Sequence, residues 1–157
     1  MADKDEMIAT LEKGYVEFRD LITPLPADAY REVWLGEWDL NRLLAHMAGW
    51  YREMAGGFAR AARGERPTPT GVDYSDPDPW NAGFAGQAKD GPAALDDFDE
   101  AFHEYYAAAQ ALPAELYGID SERGRPRIGN RLLEGAGINH FAEHRPELEE
   151  WLANRRS

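Results

Sequence analysis

The chain has 157 residues, 17 of them Lys or Arg and 29 Asp or Glu, for a formal net charge of −12; with the positive residues spread along the sequence, nucleic acid and anionic membranes are excluded as expected partners. It contains no cysteine, which removes disulfides, thiolate nucleophiles and cysteine-bound metal or iron–sulfur sites and leaves nitrogen and oxygen to hold any metal. At 43% hydrophobic and 11% aromatic residues the composition is that of a folded chain with a real core, and the length predicts one domain over residues 1–157.

The N-terminal run Met1-Ala2-Asp3-Lys4-Asp5-Glu6 is charged and lacks the apolar stretch of a secretory leader. No apolar run approaches the roughly 20 residues that span a bilayer, so a soluble cytoplasmic protein is expected. From about Lys4 to Ile22, apolar residues at Ile8, Leu11, Tyr15, Phe18 and Ile22 follow spacings of three and four and predict a first helix, ended by Pro24 and Pro26. Asp39 is a good N-cap for a second, which carries Leu40, Leu43, Leu44, Met47, Trp50, Tyr51, Met54 and Phe58 before Gly64 and Pro67 stop it. A long connection from Glu65 to Gly91 is rich in Pro, Gly and Asp, yet its aromatics Tyr74, Trp80 and Phe84 argue against disorder. Within it, Pro79-Trp80-Asn81-Ala82-Gly83-Phe84 is expected to form a helical turn over one end of the molecule.

A third helix opens at Pro92, a typical first-turn proline, and repeats Leu95, Phe98, Phe102, Tyr105, Ala109 and Leu112 until Pro113. The fourth runs from about Asn130 to Asn154 along Leu133, Gly137, Phe141, His144, Leu148, Trp151 and Leu152, with Pro146 expected to kink it. No alternating strand competes. The expectation is all-α: an antiparallel four-helix bundle with a long loop between helices 2 and 3, whose ligand sites are built from facing helices.

His140 and His144 are four apart on the apolar stripe of the fourth helix, so both imidazoles point toward the bundle axis and can reach one ion. His46 lies in line with Leu43 and Trp50 on the second helix and faces the same interior. Three nitrogen ligands with an open position build a reactive zinc, nickel or iron site. The competing reading is three hydrogen-bonded core histidines, each of which needs its own partners for buried ring nitrogens. His103, beside Asp99 and Glu104, reads as a structural residue at the polar edge. His140-Phe141-Ala142-Glu143-His144 also matches H-x-x-E-H, but Glu143 is turned about 100° from His144 and the context of a protease is missing, so Glu143 belongs at the rim or in solvent.

Leu43-Leu44-Ala45-His46-Met47-Ala48-Gly49-Trp50, preceded by Trp38-Asp39, and Ile138-Asn139-His140-Phe141-Ala142-Glu143-His144-Arg145 resemble the DinB-like superfamily of four-helix bundles. The Pro79 to Phe84 loop and Leu112-Pro113-Ala114-Glu115-Leu116-Tyr117 resemble its ClbS/DfsB branch. The resemblance implies an up-down-down-up bundle, often a homodimer, with a divalent metal, commonly zinc or nickel, on residues matching His46, His140 and His144. It also implies a small-molecule substrate, because the superfamily includes isomerases and transferases that use mycothiol, bacillithiol or glutathione.

The ClbS/DfsB branch includes a self-resistance protein for a reactive natural product that lacks the triad, and there this chain departs from it. Two functions follow. One is an enzyme that detoxifies a small electrophile at the metal with a low-molecular-weight thiol or water. The other is a binding or self-resistance protein without metal; a purely structural dimer has no positive feature in the sequence. In either case Trp38, Trp50, Tyr51, Tyr74, Trp80 and Asn81 are the candidate pocket, with plain core packing as the other reading of the aromatics. No residue is singled out as catalytic.

Overall fold

The computed structural model describes residues 3–156; Met1 and Ala2 of the charged N-terminal run, and Ser157, lie outside them. The Asp3 side chain accepts from the Glu6 amide and starts α1 (Lys4–Ile22), which buries Ile8, Leu11, Tyr15, Phe18 and Ile22 as one stripe. After a 3-10 turn, β1 (Val33–Leu35) pairs antiparallel with β2 (Trp38–Asp39), the chain reversing through Gly36 at φ +62°. Asp39 closes that ribbon and caps α2 (Leu40–Ala62), its carboxylate accepting from the Arg42 amide at 2.9 Å. The long connection holds a true two-turn helix, α3 (Asp78–Ala85), where a single turn is expected. Gly91, at φ +60°, then turns the chain into α4 (Pro92–Ala111).

Beyond α4 a second ribbon, β3 (Ile119–Asp120) with β4 (Arg125–Pro126), leads into one continuous rod: α5 (Ile128–Leu133), a π turn (Glu134–Ile138) and α6 (Asn139–Arg156). This corrects two expectations. Short strands do exist, in ribbons too brief to show alternation, and the fourth helix begins at Ile128 and is interrupted by π geometry. Where the helix widens, the Tyr105 hydroxyl donates to the Leu132 carbonyl at 2.5 Å, occupying an acceptor that regular helix would use itself. Gly137 is required there. A Cβ would stand 2.5 Å from Leu11 Cδ1 and 2.8 Å from the Tyr105 hydroxyl.

Side-chain contacts fix the directions. Lys4 reaches Gln110, Glu12 meets Tyr106 and Tyr15 meets Asp99, so α1 and α4 are antiparallel. Asn41 binds the Gly91 amide, Arg52 pairs with Asp97 and Phe58 lies against Tyr105, so α2 and α4 are parallel. Gly14 abuts Phe141 and Arg145 pairs with Glu17, so α1 and α6 are parallel. The bundle is up-down-down-up. A parallel neighbour forces the chain to return along α2, about 35 Å for 23 residues, which explains why the connection carrying α3 is long. The core is aromatic, with Tyr15 on Phe102 at 3.9 Å and Phe18 against Phe141 at 5.5 Å. Among the described residues no helix is long and apolar enough to cross a membrane.

Candidate metal centre

Two elements bring the histidines together. The Asp39 cap sets the phase of α2 so that His46 points inward, while α6 presents His140 and His144 one turn apart on its facing side. One ring nitrogen from each of the three lies within 4.8 Å of the others. Ring centroids are 5.0 Å apart for His46 and His140, 5.6 Å for His46 and His144, and 5.4 Å for His140 and His144.

Burial, with charge on His140 and His144 adding to it, pushes the His46 pKa down to about 3; the Asn81 side chain opposes the shift. Burial and His144 push His140 down to about 4, against a smaller contribution from the Ala136 carbonyl. Both rings are therefore neutral near pH 7 and keep a lone pair for ligation. The Nδ1 atoms of His46 and His140 are buried without a hydrogen-bond partner. His144 differs, because its Nδ1 lies 2.7 Å from Glu147 Oε1. A divalent cation fits this donor set: three convergent imidazoles, two of them with an unsatisfied buried nitrogen and the third beside a carboxylate.

The histidines floor a cavity of about 580 Å³ whose walls include Trp38, Trp50, Met54, Tyr74, Asn81 and Glu143. Its outer wall is α3. Gly49 lets α3 lie directly on α2, since a Cβ at that position would stand 2.2 Å from the Phe84 ring. The Trp50 indole N–H donates to Asn81 Oδ1 at 2.7 Å and fixes the amide at the cavity. Tyr74 donates to Glu53 at 2.9 Å, and burial together with that carboxylate pushes its phenol up to about 12.

The structure thus brings His46, His140, His144, Trp38, Trp50, Tyr74 and Asn81 to one cavity. Tyr51 is elsewhere: it is fully buried in the core, its ring 5.2 Å from Tyr105, because adjacent positions on a helix face about 100° apart and Trp50 takes the cavity side. Trp80 stands behind the wall, 5.0 Å from the Tyr74 ring, with its indole donating to the Asp73 carbonyl. His103 lies exposed, its Nδ1 2.6 Å from the Asp99 carbonyl oxygen. Sequence reasoning passed over Met54, which follows Trp50 by four and was legible. It also passed over Gly135 and Ala136, which reach the cavity because the π turn changes their phase.

Residues 11–119 match the family described as the mycothiol maleylpyruvate isomerase N-terminal domain. No curated protein matches the chain by sequence. An uncharacterised protein from Escherichia coli UTI89 shares the fold with a TM-score of 0.81 at 14% identity, over 99% of this chain and 96% of that one. An uncharacterized protein from Clostridium difficile 630 does so with 0.77 at 11% identity, over 98% and 97%. A mycothiol-dependent maleylpyruvate isomerase superposes with 0.70 at 16% identity over 92% of this chain, which spans 60% of that protein's length. At such identities these likenesses show the four-helix-bundle fold alone.

Proposed function

Because the chain belongs to the mycothiol maleylpyruvate isomerase N-terminal domain family, we propose that it is an enzyme that transforms or detoxifies a small electrophile with a low-molecular-weight thiol, using zinc or nickel held by His46, His140 and His144. The observation that carries this reading is the donor set itself: three ring nitrogens within 4.8 Å, two of the imidazoles with an orphaned nitrogen, flooring an aromatic cavity. Without cysteine, the chain must take its thiol from a cofactor. The bundle it shares with a mycothiol-dependent isomerase supports that choice of co-reactant; water in its place gives the hydrolase variant of the same reading.

When bound, a divalent ion supplies a Lewis acid that makes a nucleophile of thiol or water at neutral pH. The chain's own residues do the remaining work. Trp38, Trp50 and Tyr74 enclose the apolar body of a ligand and thin out water around it. Asn81, locked by the Trp50 indole, offers a fixed amide to a polar substituent, and the exposed Glu143 carboxylate at the cavity accepts a hydrogen bond from substrate or cofactor.

Metal analysis of protein purified without a histidine tag tests the proposal. About one ion per chain is expected, lost in His140→Ala and His144→Ala; less than about 0.2 ion per chain, unchanged by either substitution, would overturn it. The half-buried aromatic wall favours a second reading, a ClbS/DfsB-like protein that captures a reactive natural product without metal. Capture followed through Trp50 fluorescence, undiminished after all three histidines are replaced, would favour it over the first. Homodimerisation in the cytoplasm belongs to both readings, rests on the superfamily resemblance, and is tested by light scattering and cell fractionation.

A further inference from the structure

The positive residues, dispersed along the sequence, are unevenly used in space. Every arginine whose side chain is described pairs with a carboxylate or donates to a main-chain carbonyl, except Arg66, Arg125 and Arg131. Those three line one cavity of about 520 Å³. They come from three segments: the turn after α2, strand β4, and α5. Its one acidic lining residue, Glu65, is already engaged by Arg63.

The backbone that carries them is fixed. Arg60 Nε donates to the Pro67 carbonyl at 2.7 Å and anchors the turn. The Gly118 amide donates to the buried Asn130 Oδ1 at 3.0 Å, and Arg127 donates to the Tyr117 carbonyl, tying the β3–β4 ribbon to the rod. Three exposed arginines line this one cavity, and their like charges repel each other. Two carboxylates nearby are taken by other arginines, Glu65 by Arg63 and Asp120 by Arg123, and neither of them pairs with Arg66, Arg125 or Arg131.

We propose that this cavity binds a multiply charged oxyanion, the phosphate or polycarboxylate group of a small molecule. Guanidinium forks match such oxygens two at a time, three of them call for more than one negative charge, and Leu116 and Ile128 give an apolar wall for the organic part. The site does not depend on the metal reading.

The test is a titration of the full chain with pyrophosphate, citrate and chloride at matched low ionic strength, followed by backbone amide NMR. Pyrophosphate should saturate with shifts at Arg66, Gly118, Arg125 and Arg127 through Arg131. Arg125→Ala and Arg131→Ala should each weaken it about fivefold or more, while Arg155→Ala on α6 leaves it unchanged. Saturation by pyrophosphate alone assigns a phosphate ligand, and equal saturation by citrate extends the site to polycarboxylates; both support the proposal. No saturation beyond the effect of chloride, or equal weakening by Arg155→Ala, overturns it.

Discussion

Glu147 gives the His144 ring a carboxylate partner, which neither of the other two imidazoles has. Its Oε1 lies 2.7 Å from Nδ1, and with the proton on that nitrogen the Nε2 lone pair is the one left for a ligand. His46 and His140 carry an unsatisfied buried Nδ1 instead, each a desolvation cost of about 1–3 kcal/mol that a ligand would offset. Replacing the carboxylate should therefore loosen the centre without unfolding the bundle. In a chelator competition Glu147→Leu is expected to lower metal affinity about 10- to 100-fold, with Glu147→Gln milder because the amide oxygen still accepts. Unchanged affinity in the leucine variant would remove Glu147 from the centre. This scale was the most legible in the sequence, since an i,i+4 pair plus one in-line partner follows from helix periodicity alone. What periodicity could not decide was Trp50 against Tyr51, because α2 is apolar on both sides and only the packing of α3 and α4 assigns one to the cavity and the other to the core.

Among the elements, α3 depends on a single missing side chain. Gly49 lets the Phe84 ring sit where a Cβ would be, and the Trp50–Asn81 bond then closes the cavity wall. Gly49→Ala is expected to destabilise the protein by about 1–3 kcal/mol through overpacking and to change Trp50 fluorescence as α3 shifts. Adding Phe84→Ala in the same chain should recover much of the loss; thermal melts of the single and double variants measure both. A Gly49→Ala protein with unaltered stability and fluorescence would show that α3 is not seated by this contact. The four long helices were readable because each buries one stripe between proline or glycine stops. The helix α3 was readable only as a turn, since two turns leave little period to detect. The ribbons of two or three residues leave none, and the π turn hides inside spacings of three and four that also suit regular helix.

At the scale of the whole molecule, the parallel run of α2 beside α4 is pinned where both begin. Asp90 accepts from Arg31 at 2.7 Å and from Asn41 at 2.8 Å, and Asn41 accepts from the Gly91 amide, so three separate segments meet at one carboxylate. The Arg31 guanidinium, with the Asn41 amide adding to it, holds the Asp90 carboxyl below the usual carboxylate range. A group depressed in this way contributes stability above its unfolded value and loses that contribution as pH falls through the folded one, below about pH 4. Urea midpoints of Asp90→Asn should accordingly fall less steeply than wild type on the acid side; equal slopes would show that the joint contributes nothing to acid stability. The π turn joins the two ends of the rod in another sense. One residue of helix is about 100° of rotation, and the segment absorbs one such step between Asn130, which faces the ribbon, and the His140–His144 pair, which faces the cavity. A lineage that lost a single residue from 134–138 would close the π turn into regular helix and keep Asn130 and the histidine pair on their present faces, so a one-residue gap there in a sequence comparison would mark the turn and not a displaced site.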